Sequence, residues 1–564
     1  MTESVHVTPQ DLPLARLVKW EQERAHDIYL TQPMGQGQLQ DITWQQAADQ
    51  VRRVAQWLLQ PNIPAGSRIG ILGKNSAHWI LSDLAIGMAG HVSVPIYPTF
   101  NAQALAYIFQ HSEAKACFVG KMDDIEALRT AATSGMPLIA LPLAPALQAQ
   151  KWDDIVAQTS RLEAAPSIDP QSISTIIYTS GTTGVPKGVV HTYQSMAWGV
   201  TSATRRVTMG SQDRLISYLP LAHVAERMLI EQASLRYGIH VFFAESLDTF
   251  VQDLQRARPT IFFSVPRLWV KFQQGVHAKL PAPKLQRLLR IPLLGRFIRK
   301  KILKGLGLDQ CRIAAGGAAP MPGDVLQWYR ELGLDLIEVY GMTENSGVSH
   351  STLPGSTGLG TVGLPHAGVE SRIDATTGEI QMRCGALMQG YYREPGLTAE
   401  VFTQDGWLRT GDKGQLDPQG ALRITGRVKD IFKTSKGKYV APAPIEDLLV
   451  LHPDIEACAV TGANLAQPFA VVMLSLDAAK RCAANSEKAS LLASLESHLK
   501  WVNGKLEPHE KLDCLAVTTT QWTPENGFVT PTMKVKRTRI EESFGGQYAS
   551  WVAQRKSVVW ADAE

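Results

Sequence analysis

The stretch STIIYTSGTTGVPKGVVH, residues 174–191, decides how this chain is read. STIIYTS is a short run rich in β-branched and aromatic residues, and it reads as a buried strand. Hydroxyls and glycines then crowd together at Thr179, Ser180, Gly181, Thr182, Thr183 and Gly184, with Lys187 and Gly188 just beyond. Glycine lets the backbone turn sharply and approach an anion, while N–H groups and hydroxyls donate to phosphate oxygens. The lysine adds a cation. These features describe a polyphosphate-binding loop. It is not the G-x-x-x-x-G-K-[ST] loop, because the lysine comes later and no hydroxyl follows it.

Similar short apolar runs recur on both sides: SRIGILG (67–73), HVSVPIY (91–97), ACFVG (116–120), IHVFFAE (239–245), TIFFSV (260–265), CRIAAGG (311–317) and DLIEVYG (335–341). Helical stretches separate many of them. One, AHWILSDLAIGMAG, reads as an amphipathic helix capped by Asn75 and Ser76. The alternation predicts α/β layers with largely parallel sheets. Between about 360 and 425, GEIQMR, GWLRTGD and GALRIT are short strands bounded by glycine turns, which predicts a small antiparallel sheet or barrel. The polar run RVKDIFKTSKGKYVAP after Gly426 reads as a hinge. The expected fold is therefore α/β, with a large N-terminal domain (1–427) of layered α/β sheets and a small β-barrel-like subdomain. A small, mobile α+β C-terminal domain (428–564) follows.

The totals narrow the class of function. The chain has 564 residues, 45% hydrophobic and 19% charged, with 56 Lys and Arg against 52 Asp and Glu. That near balance gives no reason to expect a nucleic-acid partner. The six cysteines are scattered, with no C-x-x-C pair, and read as thiols in a reducing compartment. No basic patch followed by a long apolar run opens the sequence, and no run of about 18 uncharged apolar residues occurs. A soluble cytoplasmic protein is expected.

The phosphate-loop stretch resembles YTSGTTGxPKG, a motif of the acyl-adenylate-forming, or AMP-binding, enzyme superfamily. YGMTEN (340–345), RTGD (409–412), GRVKDIFKTSKGKYV (426–440) and PTMKVKR (531–537) follow in that superfamily's order. LPLAHVAER (219–227), VPRLW (265–269), AAGGAAP (314–320) and NGFVTPTMKVKR (526–537) look most like long-chain fatty acyl-CoA synthetases. The resemblance implies a two-step reaction. A fatty acid carboxylate attacks the α-phosphate of ATP, pyrophosphate leaves, and the acyl group of the adenylate passes to the thiol of coenzyme A.

The resemblance also implies roles. Thr179 to Gly184 and Lys187 would hold the β- and γ-phosphates. Thr343 would donate to the α-phosphate, and Glu344 would hold Mg2+, which suits one or two carboxylates plus phosphate oxygens. Gly316, Gly317 and Ala318 would lie against adenine, where missing side chains leave room for a flat ring; Tyr340, followed by Gly341, would stack on its other face. Asp412 would accept from the ribose hydroxyls and Arg427 would touch ribose or phosphate. Lys534 resembles the catalytic lysine, with Met533 where the commoner form has glycine. Lys429 stands at the hinge about which the family turns its C-terminal domain between half-reactions. Lys436, Gly437 and Lys438 would line the coenzyme A tunnel. His223, counted among the catalytic candidates, and Arg227 sit where the family shapes its acyl pocket.

RLLRIPLLGRFIRKKILKG (287–305) mixes basic and apolar residues at helical spacing after Pro292. It admits two readings: peripheral contact with anionic lipid, as at the inner face of the membrane, or a surface helix that packs its apolar stripe on the core. Other functions share the adenylation motifs: an acyl-AMP ligase that delivers to a carrier protein or other acceptor, and a β-lactone-forming or oxidative relative; a non-catalytic adenylate-binding homologue should instead have lost Lys187, Glu344 or Lys534, and all three are present. An amino-acid substrate is disfavoured, because LPLAHVAE contains no Asp to pair with an amine. No oligomeric state is implied.

Overall fold

The strand Ile173–Ser180 lies inside an eight-stranded sheet, in the order Gly390–Tyr391, Pro186–Thr192, Ile173–Ser180, Val92–Ile96, Arg68–Leu72, Ala116–Val119, Leu138–Ala140, Gln150–Lys151. The protein is seen here as a computed structural model that describes residues 4–132, 135–180, 185–319, 321–356, 360–483, 487–530 and 533–562. From Ile173–Ser180 to Gln150–Lys151 the neighbours run parallel. The two strands on the other side are antiparallel. Alternate residues of the sheet enter two separate cores: Ile69, Ile71, Phe118 and Ile139 face one, and Leu72, Val94, Ile96 and Val119 face the other. Burial on both faces explains why these strands read as unbroken apolar runs.

The helix Ala77–Met88 connects two parallel strands of this sheet. Ser76 caps it, its hydroxyl accepting from Trp79 N at 3.2 Å. The expectation of an amphipathic helix is corrected here, since every residue of the helix except Asp83 is buried. Asn75 does not cap. Its amide nitrogen donates to Ser217, Leu219 and Glu226, and its oxygen accepts from Leu221 N.

The chain divides into two compact units: 1–318 with 324–371 and 382–408, and 319–323 with 372–381 and 409–564. Besides the large sheet, the first unit holds a four-stranded sheet, Arg214–Ser217, His240–Phe243, Ile28–Gly35, Gln38–Thr43, and a five-stranded one, Ile261–Ser264, Ile313–Gly317, Leu336–Tyr340, His350–Ser351, Leu364–Pro365. In the second unit residues 412–416 of the strand Leu408–Leu416 pair antiparallel with Leu422–Arg427, in the region where the sequence predicts short turn-bounded strands. Its main sheet runs Ile455–Thr461, Phe469–Leu474, Leu515–Thr518, Val558–Trp560, with buried residues on both faces.

Candidate active site

The phosphate-loop motif is carried by two antiparallel strands, with Thr179 opposite Lys187 and Ser180 opposite Pro186. It is therefore a strand–strand hairpin. Gly181, Thr182, Thr183 and Gly184, and the side chain of Ser180, lie outside the described residues.

Tyr391 organises what stands beside this hairpin. Its strand pairs with Pro186–Thr192, Tyr391 opposite Val189. Its hydroxyl donates to Glu344 Oε1 at 2.8 Å, and Lys187 Nζ lies 5.4 Å from its ring centroid, within cation–π range. Burial, and then the Glu344 carboxylate, push the phenol well above its usual range, so the hydroxyl stays protonated and remains a donor. Two charges of opposite sign thus flank one aromatic ring.

Thr343 is buried in the short turn Thr343–Asn345. His191, at the end of the hairpin's second strand, fixes this turn: its Nε2 lies 2.7 Å from Thr343 O. A carbonyl only accepts, so Nε2 carries the proton and Nδ1 is left to accept from Ser195 or Ser346, at 3.2 and 3.3 Å. Burial pushes the His191 imidazole down to about 4, which keeps it neutral. Gly341 is demanded by the chain itself, because a Cβ there would stand 2.2 Å from the backbone of Gly347. Tyr340 is half-buried at the end of its strand, its ring 6.4 Å from that of His350.

Gly316 and Gly317 lie in the strand Ile313–Gly317, and Ala318 follows at φ +70°. A Cβ on Gly317 would come within 2.7 Å of Val339 Cγ2 on the neighbouring strand. The missing side chain at Gly317 therefore makes room for that strand. His223 caps the short helix Val224–Glu226, its Nδ1 accepting from Ala225 N at 3.1 Å.

In the second unit, Asp412 is buried opposite Arg427 on paired strands, and Arg427 Nε donates to Asp412 Oδ1 at 3.1 Å. Lys436, Gly437 and Lys438 form the exposed turn between the strands Phe432–Lys433 and Tyr439–Val440, with Gly437 at φ +77°. Lys429 lines a small cavity with Phe432, Val460 and Arg537. Pro531 and Thr532 lie outside the described residues. Lys534 N donates to Thr530 Oγ1 at 3.1 Å and Lys534 O accepts from Thr530 N at 2.8 Å, closing a tight loop. Met533, in the place of the commoner glycine, sits at φ +63°. Glycine adopts that left-handed conformation freely, and a methionine at a cost of roughly 1–2 kcal/mol.

Comparison with known proteins now decides the family. A family model described as AMP-binding enzyme matches residues 18–392, and one described as AMP-binding enzyme C-terminal domain matches residues 429–551. The chain belongs to the AMP-binding enzyme family. It is 32% identical over 570 residues to a long-chain-fatty-acid–CoA ligase of Mycobacterium bovis, covering 92% of this chain and 93% of that protein. It is 30% identical to the peroxisomal long chain acyl-CoA synthetase 6 of Arabidopsis thaliana, covering 89% and 80% of the two chains. Among solved structures it is similar to the adenylation domain of a carboxylic acid reductase from Segniliparus rugosus, with a TM-score of 0.78, 20% identity and coverage of 97% and 94%. It is also similar to ATP-bound MatB of Rhodopseudomonas palustris, with a TM-score of 0.74, 23% identity and coverage of 95% and 99%. The two structures share the α/β fold.

In this AMP-binding enzyme Arg227 is fully buried. It begins the π-helical stretch Arg227–Gln232 and donates to Asp83 Oδ2 at 2.7 Å, Glu231 Oε2 at 2.9 Å and Thr175 Oγ1 at 3.0 Å. Arg227 is thus a buried strut beneath the strand that leads into the phosphate hairpin.

Its neighbour Glu226 is also fully buried, accepting from Ser217 Oγ at 2.8 Å and Tyr218 N at 2.9 Å. Burial pushes its carboxyl up to about 8, against the lowering effect of those hydrogen bonds. The folded protein therefore keeps a proton that the unfolded chain releases above its ordinary 4.5. The associated stability is complete below that value and is lost as pH rises through about 8. Glu226→Gln should remove this dependence, which amounts to at most roughly 5 kcal/mol. Denaturation midpoints at mildly acidic and mildly alkaline pH should then differ less for the variant than for the unchanged protein.

Proposed function

We propose that this AMP-binding enzyme is an ATP-dependent fatty acid–CoA ligase. The observation that carries the reading is the meeting of Lys187, Glu344 and Tyr391 beside the phosphate hairpin, a cation and a carboxylate held about one ring. The acyl acceptor and the acid follow from relatives named long-chain-fatty-acid–CoA ligase that match nearly end to end. In the first step a carboxylate oxygen bonds to the α-phosphorus of ATP, and the bond to the β-phosphate oxygen breaks to release pyrophosphate. In the second, the thiolate of coenzyme A attacks the acyl carbon and AMP leaves.

Within this proposal Lys187 and the 179–184 segment receive the leaving phosphates, and Thr343, held by His191, donates to the α-phosphate. Gly316, Gly317, Ala318, Tyr340 and Gly341 border the adenine. Asp412, oriented by Arg427, accepts from the ribose hydroxyls. Lys534 offsets the charge shared by carboxylate and α-phosphate. Lys436, Gly437 and Lys438 meet coenzyme A, His223 borders the acyl group, and Lys429 marks a hinge between residues 1–427 and 428–564.

Among the described residues no group of three or more His, Cys, Asp or Glu side chains could hold a metal. A nucleotide-borne magnesium ion needs only one or two carboxylates, and Glu344 fits that part. Magnesium would neutralise charge on the phosphates, while Tyr391 orients the Glu344 carboxylate. Tyr391→Phe should raise the magnesium concentration for half-maximal activity by about tenfold, as for other residues that support a metal ligand. An unchanged magnesium titration would remove Tyr391 from that role.

We propose that the enzyme is cytoplasmic, with peripheral contact at the inner face of the membrane. No helix among the described residues is long and apolar enough to cross a membrane. The test of function is a panel of fatty acids of graded length incubated with ATP and magnesium, with and without coenzyme A, and read by mass spectrometry. Acyl-CoA in the first case and enzyme-bound adenylate in the second are expected. Adenylate that never becomes a thioester would point to a carrier protein or another acceptor. No adenylate from any acid would overturn the reading.

A further inference from the structure

From Leu254 to Leu308 the sequence contains thirteen of the 56 Lys and Arg and none of the 52 Asp and Glu. The rest of the chain carries 43 cations against 52 anions, so the mild positive charge of the whole comes from this one stretch. Its most basic part folds as two helices, Ala282–Leu289 and Pro292–Gly305, joined by a tight elbow at Arg290 and Ile291.

The pair is anchored on one side only. Leu285 and Leu289 are buried. Gly295 is the one buried residue of the second helix, and a Cβ there would meet Leu289 O at 2.4 Å. The Arg299 guanidinium donates to Leu289 O at 3.2 Å and to Glu331 O at 2.7 Å, closing the same inner face.

The outer face is apolar where it protrudes. Leu293 is 87% exposed, Phe297 65%, Ile291 49% and Leu294 39%. The second of the two readings of this segment, an apolar stripe packed on the core, is thus not what these residues do. At 100° per residue Leu293, Phe297, Lys300 and Lys304 fall within about 60° of one another on the helix surface. Lys300 and Lys304 are the cations of that face, Lys301 stands at its edge, and Lys304 lies about 10 Å along the axis from Phe297. Arg290 and Arg296 flank the elbow and are exposed.

We propose that this helical elbow docks the enzyme on a bilayer surface rich in anionic lipid. Ile291, Leu293, Leu294 and Phe297 enter the headgroup–acyl boundary, while the lysines further along the helix meet lipid phosphates. The apolar residues gather at the N-terminal end of the helix and the lysines lie up to about 10 Å further along its axis, so the tip can enter the boundary while the cations stay at headgroup level. The charge is complementary to phosphate headgroups, each basic residue adding to the attraction. Lipid is favoured over an acidic protein because the apolar groups form a projecting tip. Protein partners instead bury aromatic anchors in well-packed pockets. The proposal deepens the fatty-acid reading, since it brings the enzyme to the phase in which such acids dissolve, but the docking itself needs neither nucleotide nor acid.

The test is flotation of the full-length protein, without substrates, on phosphatidylcholine vesicles with and without phosphatidylglycerol. Binding is expected with phosphatidylglycerol at low salt and should weaken as salt screens the charges. Lys300→Glu with Lys301→Glu should lower the partition coefficient by at least about tenfold. Leu293→Ser with Phe297→Ser should lower it by about tenfold as well. Both pairs should leave adenylation of a short, water-soluble acid unchanged, which shows that they fold. The proposal is overturned if the unchanged protein ignores phosphatidylglycerol vesicles at low salt, or if neither pair of substitutions affects flotation. It is equally overturned if the protein ignores vesicles yet binds an acidic carrier protein through these same residues. Because flotation reads binding alone, it stands or falls separately from the assignment of the reaction.

Discussion

Lys534→Ala should slow acyl-adenylate formation by roughly 10²–10³-fold, the usual loss when one preorganised donor is removed from a site of developing charge. Transfer of the acyl group from ready-made acyl-adenylate to coenzyme A should stay near that of the unchanged enzyme. The split follows from the charges in each step. The first brings a carboxylate against a triphosphate and loads further negative charge on the α-phosphate oxygens, so a missing cation raises that barrier. The second begins from a mixed anhydride whose carboxylate charge is already gone. Local structure supports a fixed position for the lysine: both backbone groups of Lys534 bond to Thr530, and Met533 is held at φ +63°. Three residues on, Arg537 is tied to Glu446 Oε2 at 2.7 Å and Val460 O at 3.1 Å. Pyrophosphate exchange measures the first step, and thioester formation from synthetic adenylate measures the second. Equal losses in both would remove Lys534 from a role confined to adenylation.

The strands of this protein were legible because two cores cover its central sheet, leaving runs such as Ile69–Leu72 and Ala116–Val119 apolar throughout. The helix Ala77–Met88 misled for the same reason. Its one charged residue, Asp83, lies only partly buried and turns to Arg227 rather than to solvent. In the candidate site, the hairpin with Lys187 stood out because its residue types suit phosphate, whereas Thr343 and Glu344 were marked only by the resemblance of YGMTEN to the superfamily motif. Tyr391 and His191 were not legible. Each acts through a partner about 50 to 150 residues distant, Glu344 and the Thr343 carbonyl. A tyrosine or histidine on a strand has no pattern that reveals such a bond before the chain folds. Gly317 shows the converse: the glycine was legible, but its reason, the approach of Val339, came only with the sheet.

Arg227→Ala should destabilise the protein by about 3–5 kcal/mol, the cost of stripping the partner from a buried charge cluster. Asp83 and Glu231 both lean on this one guanidinium, and the two carboxyls also meet each other through a side-chain hydrogen bond. Burial, with Asp83 adding to it, holds the Glu231 carboxyl well above its ordinary value even with the arginine present. Two carboxyls thus face one cation, and without it their charge is left buried and uncompensated or water is forced into the core. The loss should therefore be greatest at alkaline pH, where the unfolded chain gains most by releasing the proton that Glu231 holds, and should shrink as pH falls. Arg227→Lys should fall between the two, because one ammonium cannot span Asp83, Glu231 and Thr175 as a planar fork does. Replacing Asp83, Arg227 and Glu231 together by apolar residues of similar volume should recover most of the stability, as buried ion clusters are commonly exchangeable for packed side chains. Urea midpoints for the three variants, read at neutral and alkaline pH, decide the matter. A neutral Arg227→Ala would mean that the buried carboxyls do not depend on this guanidinium for stability. The same variant should also lower adenylation at temperatures where it remains folded, since Thr175, which accepts from Arg227 at 3.0 Å, lies in the strand that ends in the phosphate hairpin.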